Sequence, residues 1–101
     1  MKGEKVKMHI AEVKVTNQWQ KLEDLIAEKI EGFTFEGSKE YTIQNIGNSN
    51  ANFIEKTTTP TEEIGFVKRA NETPLVYTKT NGDLYVKSCV NITFLTVSDE
   101  D

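Results

Sequence analysis

His9, Cys89 and the sixteen aspartates and glutamates are the groups in this sequence suited to proton transfer, nucleophilic attack or metal binding. Their spacing does not assemble them into a site. A Ser-His or Cys-His pair would have to run through His9, the single histidine, close to the amino terminus. Zinc takes four N, S or O ligands, and one His with one Cys and irregularly spaced carboxylates does not supply that set. Neighbouring carboxylates such as Glu62 and Glu63 point to opposite faces of a strand. Asp24 and Glu28 share a helix face, but the wet one, whereas paired acid catalysis needs one carboxyl raised by burial. The six glycines form no phosphate-cradling loop. The expectation is a non-enzymatic chain with no catalytic, cofactor-binding or metal-binding residues. Cys89, between two strand patterns, fits a small buried position better than a reactive thiolate. What remains is the asparagine-rich 45–52 segment, where Asn48 and Asn50 could hydrogen-bond a glycan or a protein partner.

Those residues must be positioned by one core, because 101 residues do not divide into two. The expected organisation is a single β-sandwich domain over 1–101, with 1–7 and 98–101 as flexible tails. Lys2, Lys5 and Lys7 crowd one end and Asp99, Glu100 and Asp101 the other. Hydrophobic residues make up 37% of the chain and the formal charge is −4, with Lys and Arg scattered. That balance argues against a nucleic-acid partner, whose phosphates need a clustered basic face. The first thirty residues hold no apolar run of signal-peptide or membrane-span length. A lone cysteine favours a reducing compartment. Asn71-Glu72-Thr73 and Asn91-Ile92-Thr93 then read as chance matches to the glycosylation pattern, in a soluble chain made in the cytosol.

Val6, Met8 and Ile10 alternate, and Val13 and Val15 resume on the other phase, which predicts a strand with a slip or bulge, or two short strands. The period then changes. Trp19, Leu22, Leu25, Ile26 and Ile30 define a helical stripe, with Asn17 as cap, Gln20 three residues on and Gly32 at the exit, so a helix is expected over 18–30. From Phe33 onward the pattern is β, with turn signals about every ten residues. Asn81-Gly82 predicts a two-residue type I′ hairpin pairing Thr78 with Tyr85 and Tyr77 with Val86. That register puts Leu75, Tyr77, Leu84 and Val86 on a core face and Tyr85 on a polar one. Val90 to Val97 reads as a central strand covered in part on both faces. The fold class is mainly β: a small antiparallel β-sandwich or jelly-roll-like barrel with one short α-helix in its N-terminal half.

Tyr41-Thr42-Ile43-Gln44-Asn45, a loop containing Pro60, Gly65-Phe66 and Asp83-Leu84-Tyr85-Val86 before a last apolar strand form an ordered series over about 38–98. The series resembles small β-sandwich virion structural proteins of tailed bacteriophages: capsid decoration, head-fibre or tail-associated proteins. The resemblance implies assembly without turnover, capsid or tail proteins as partners, and location in a virion assembled in the host cytoplasm. A small core is often supplemented by symmetric homo-oligomerisation. The aromatic candidates for an interface are Trp19, Phe33, Phe35 and Tyr85, each competing with a place in the core. Two other readings stand beside this one. The first is a carbohydrate- or receptor-binding module using the 45–52 loop and Tyr85. The second is a small enzyme or regulator around Glu12 or Glu55, which interrupt apolar alternation.

Overall fold

The structure, a computed structural model, describes residues 7–100. It contains strands β1 (Lys7–Val15), β2 (Gln20–Lys21), β3 (Tyr41–Asn45), β4 (Ala51–Lys56), β5 (Phe66–Lys68), β6 (Leu75–Tyr77), β7 (Asp83–Ser88) and β8 (Thr93–Glu100), with helix α1 (Leu22–Ala27) after β2. β1 pairs with β8, β2 with β7, β3 with β6 and β4 with β5, all antiparallel. The chain is thus one long folded ribbon whose tip is the β4–β5 connection. Two more pairs, β3–β8 and β4–β7, wrap the ribbon onto itself. The result is two four-stranded sheets ordered β1-β8-β3-β6 and β2-β7-β4-β5. This winding is a jelly roll, and the two sheets remain separate layers of a sandwich.

Alternation decides which side chains fill the space between the layers. In β3, Tyr41, Ile43 and Asn45 point inward and Thr42 and Gln44 outward. In β8, Thr93, Leu95 and Val97 are buried. In β1, Ala11, Val13 and Val15 are buried, and the register slips between His9 and Ala11. The phase change in the sequence is that bulge. Phe35, Tyr41 and Tyr77 extend the core at one end as edge-to-face rings, with Phe35 centroids 4.7 Å from Tyr41 and 5.1 Å from Tyr77. Each aliphatic side chain fully buried here contributes about 1.5–3 kcal/mol against the entropy of ordering the chain.

Three expectations are corrected. The helix covers 22–27, not 18–30, because Gln20 and Lys21 enter the ladder opposite Val86 and Tyr85. Asn17 therefore caps nothing, and Gly32 is not the helix exit: Glu28 is the C-cap, and Gly32, at φ +79°, turns the chain in a later turn closed by Phe33 N–H to Ile30 O. Residues 98–100 are not a tail: Ser98, Asp99 and Glu100 continue β8 opposite His9, Met8 and Lys7. Of the residues expected as an amino-terminal tail, 1–6 lie outside the described residues.

The Asn81-Gly82 hairpin does not form. β6 pairs with β3, and β7 lies between β2 and β4 in the opposite sheet. Residues 78–82 carry the chain across the end of the sandwich. They are pinned where the Thr80 N–H and hydroxyl donate to Glu55 Oε2 at 3.2 and 2.8 Å. Neither Asn81 nor Gly82 has positive φ. Gly82 passes so close to Lys56 that a Cβ would sit 2.9 Å from its carbonyl carbon and oxygen. Leu75, Tyr77, Leu84 and Val86 do face one interior, but across the core rather than side by side.

The two flanks of the sandwich differ. At one, α1 buries Leu22, Leu25 and Ile26 against β1, β2 and β7. At the other, β5 and β6 are the last strands of their sheets.

Candidate functional site

Four connections meet at one end of the sandwich: 16–19, 46–50, 69–74 and 89–92. Backbone bonds tie them together, from Ser88 N–H to Thr16 O (2.7 Å), Cys89 N–H to Asn50 O (2.9 Å) and Asn71 N–H to Asn45 O (2.7 Å). The asparagines here divide into two kinds. Asn45, 2% exposed, uses its whole amide. Its Nδ2 donates to Ser49 O (2.7 Å) and Lys68 O (3.0 Å), and its Oδ1 accepts from Gly47 N–H (3.1 Å) and the Thr93 hydroxyl (2.7 Å). Asn52, 1% exposed, accepts from Gly65 N–H and donates to Cys89 Sγ at 2.9 Å. Both are internal braces.

Asn17, Asn48, Asn50, Asn71 and Asn91 are exposed at the same end. Asn71 and Asn91 take left-handed φ of 61° and 55°, which a short amide side chain tolerates better than most. Asn48, Asn50 and Asn91 surround a depression of about 480 Å3 with Val90 and Ile92 in its wall, 63% and 40% exposed. Loops held by a bonded scaffold and presenting amides beside apolar groups suit ligand contact. Cys89 also lines this depression and is exposed, contrary to the burial expected of it. The β7–β8 turn carries its side chain outward.

The opposite end is charged and closed on itself. Lys79 Nζ lies 3.5 Å from Glu23 Oε2 and 3.3 Å from Asp83 Oδ1, while Glu23 Oε2 also accepts the Phe35 N–H at 2.8 Å. Burial works against the Lys79 charge, but Asp83 and Glu23 outweigh it and hold its pKa above the usual lysine value. The Tyr77 hydroxyl is buried with no hydrogen-bond partner among the described residues. Burial, then the negative charges of Glu55, Glu23 and Asp83, push its pKa up, so it stays protonated. Glu55 is committed to Thr80, and Glu12 is exposed on the outer face of β1.

Of the aromatic residues named as interface candidates, two are in the interior and two are half-buried. Phe35 is buried at 5% and Tyr85 at 4%. Phe33 is half-buried, edge-on to Phe35 with centroids 5.2 Å apart. Trp19 is half-buried on the outer face of the β2-β7-β4-β5 sheet, its Nε1–H donating to Glu62 O at 2.7 Å and its ring under Lys87 Nζ at 5.0 Å. That bond, with Lys56 Nζ to Glu62 Oε2 at 3.0 Å, folds the 57–65 connection over the face that carries Tyr85. Tyr85 is covered by this connection, not displayed.

Further exposed apolar groups lie at and beside the two last strands, β5 and β6. Ile64 is 71% exposed, Phe66 56%, Val67 37% and, on β6, Val76 59%. β5 has no strand on its outer side among the described residues. The run of Ile64, Phe66 and Lys68 reads in sequence as an ordinary strand; only its place at the edge leaves these side chains uncovered.

No family model matches this chain, and neither does any curated protein or solved structure.

Proposed function

We propose that this chain is a non-enzymatic structural protein of a bacteriophage particle, making protein–protein contacts with capsid or tail components. The observation that carries the reading is the exposure of Ile64, Phe66 and Val67 at and beside the edge strand β5. A cluster of this kind beside an unpaired strand has both the apolar area and the free backbone groups of an assembly surface. Two supports are associational: jelly rolls occur among viral capsid domains, and the 38–98 motif series resembles phage virion proteins. Fold by itself does not fix function. Mass spectrometry of gradient-purified virions from the host that encodes the chain tests the reading. The chain is expected at a copy number comparable to other minor structural proteins. Its absence from particles, together with presence as free protein in the lysate, overturns the reading.

The amide-lined end favours a second reading, a glycan-binding module, since jelly rolls also serve as lectin domains. Under it, a glycan array yields a ligand that raises the melting temperature, and Asn48→Ala combined with Asn50→Ala removes that rise without lowering unliganded stability. No binding across the array removes this reading.

A further inference from the structure

The connection 57–65 crosses the outer face of the β2-β7-β4-β5 sheet, and little holds it there. Residues 57–59 and 61–64 are all exposed, and Pro60 alone among them is buried. Two ties meet at Glu62. Its carbonyl accepts from Trp19 Nε1–H at 2.7 Å, and its carboxylate pairs with Lys56 Nζ at 3.0 Å. The Lys56 and Glu62 side chains are 37% and 46% exposed, and a pair so wet holds weakly. The far end is anchored differently. Gly65 N–H donates to the buried Asn52 Oδ1 at 3.2 Å, and Gly65 packs so closely that a Cβ would run into the Phe53 carbonyl. Between Glu62 and that anchor the connection is not seated. Glu63 and Ile64 border a depression of about 490 Å3 together with Asn52, Lys87 and Cys89, and Ile64 is 71% exposed.

What lies beneath is of another kind. Tyr85 is 4% exposed and sits opposite the half-buried Ile54 in the β4–β7 ladder. Their backbones belong to the sheet, so lifting the connection breaks no strand pairing. Closure gains the cover of Tyr85 and Pro60 and the two Glu62 ties. Opening regains the conformational freedom of a segment that buries almost none of its own side chains. Segments with few buried contacts open locally, at a fraction of the cost of unfolding the domain. We infer that residues 57–64 are a lid, latched at Glu62 and anchored at Gly65, which lifts from the intact sandwich and presents Tyr85 and Ile54 to solvent. Trp19 and Lys56 are the two halves of the latch. The lid is a property of the chain alone, so it stands or falls separately from the particle reading.

A glutamate-specific protease tests it on the purified, folded chain. Cutting after Glu62 or Glu63 needs the connection lifted, and its rate tracks the open population when closing is fast. Cutting after Glu23, in the helix that buries Leu22, Leu25 and Ile26, reports global unfolding in the same digest. The wild-type chain is expected to be cut at the lid well before Glu23. Trp19→Phe, which keeps a ring and removes the donor, is expected to speed lid cutting about fivefold. Lys56→Gln is expected to speed it about threefold, and the double variant by about the product. Cutting after Glu23 is expected to stay near its wild-type rate in all three variants, with folding checked by circular dichroism. Lid cutting that is unchanged by the variants overturns the inference, because Glu62 would then latch nothing. Cutting that rises equally at both sites also overturns it, because the connection would then open only with the whole domain.

Discussion

Asn45→Ala is expected to lower the free energy of unfolding by about 3–5 kcal/mol, a large part of the roughly 5–15 kcal/mol that holds a domain of this size. The change removes one amide and strands four groups: the Ser49 and Lys68 carbonyls, the Gly47 N–H and the Thr93 hydroxyl. Thr93 is 0% exposed, so water does not replace what it loses. A buried polar group left without a partner costs about 1–3 kcal/mol, and the Lys68 bond also ties β5 to β3 in the opposite sheet. Urea denaturation should show a lower midpoint with an unchanged slope, and a thermal midpoint lower by roughly 12 °C or more. Thr93→Val, which keeps the shape and removes one bond, is expected to cost about 1 kcal/mol. Asn48→Ala, on the exposed tip of the same segment, should stay within about 0.5 kcal/mol. If Asn45→Ala cost no more than Asn48→Ala, the brace described here would have no energetic meaning.

Gly47→Ala is expected to be comparably severe, for a steric reason. An added Cβ would lie against the Thr93 hydroxyl, 2.6 Å from Phe94 N and 2.9 Å from Thr93 Cα. Two of those three atoms are backbone of β8, the strand between β1 and β3, so they cannot move aside without opening a sheet. The residue is buried, and its φ is not in the left-handed region, so close approach and not backbone freedom demands glycine. Overpacking of this kind typically costs about 1–3 kcal/mol and more where backbone must shift; a value at or above the upper figure is expected here. Gly37 supplies the control. A Cβ there meets nothing nearer than Lys79 O at 3.9 Å, and alanine is expected to be neutral or stabilising by up to about 1 kcal/mol. Thermal unfolding of the two variants side by side checks the contrast, and equal effects would contradict the packing around Gly47.

Much of the architecture was legible in the sequence because alternation reports which face of a strand is buried. The slip between Ile10 and Val13 and the inward set Tyr41 and Ile43 appear as read. Alternation does not report which strand lies alongside. Leu75, Tyr77, Leu84 and Val86 face one core whether β6 and β7 are neighbours or lie in opposite layers, and Asn-Gly looked like a turn where Gly82 is instead a close crossing over Lys56. Hydropathy also sees the asparagines of 45–52 as alike. Only phase separates Asn45, two residues beyond Ile43 and inward, from Asn48 and Asn50 in the loop. The interface candidates misled for a related reason. Large aromatics suggest a contact surface, but Phe35 and Tyr85 pack within the chain, and the exposed apolar side chains are mostly aliphatic ones such as Met8, Ile64, Val76 and Val90, with Phe66 on the edge strand β5. Burial at an edge depends on what stands beside it, and the local pattern does not record that.

The pairing of β1 with β8 has a consequence for how the protein comes to exist. Among the described residues, β1 has β8, the strand furthest from it along the chain, as its one ladder partner. At roughly 5–20 residues per second, a ribosome leaves β1 without its mate for several seconds, until the remainder of the chain has emerged. Closure of the β1-β8-β3-β6 layer therefore waits for β8, and the dominance of distant pairings places this fold among slow folders. Throughout that wait, Ala11, Val13 and Val15 stand in a row with no cover. Glu12 and Lys14 alternate with them and put opposite charges on the strand's other face. Side chains that contribute little to the finished sandwich thus act as gatekeepers while it is incomplete.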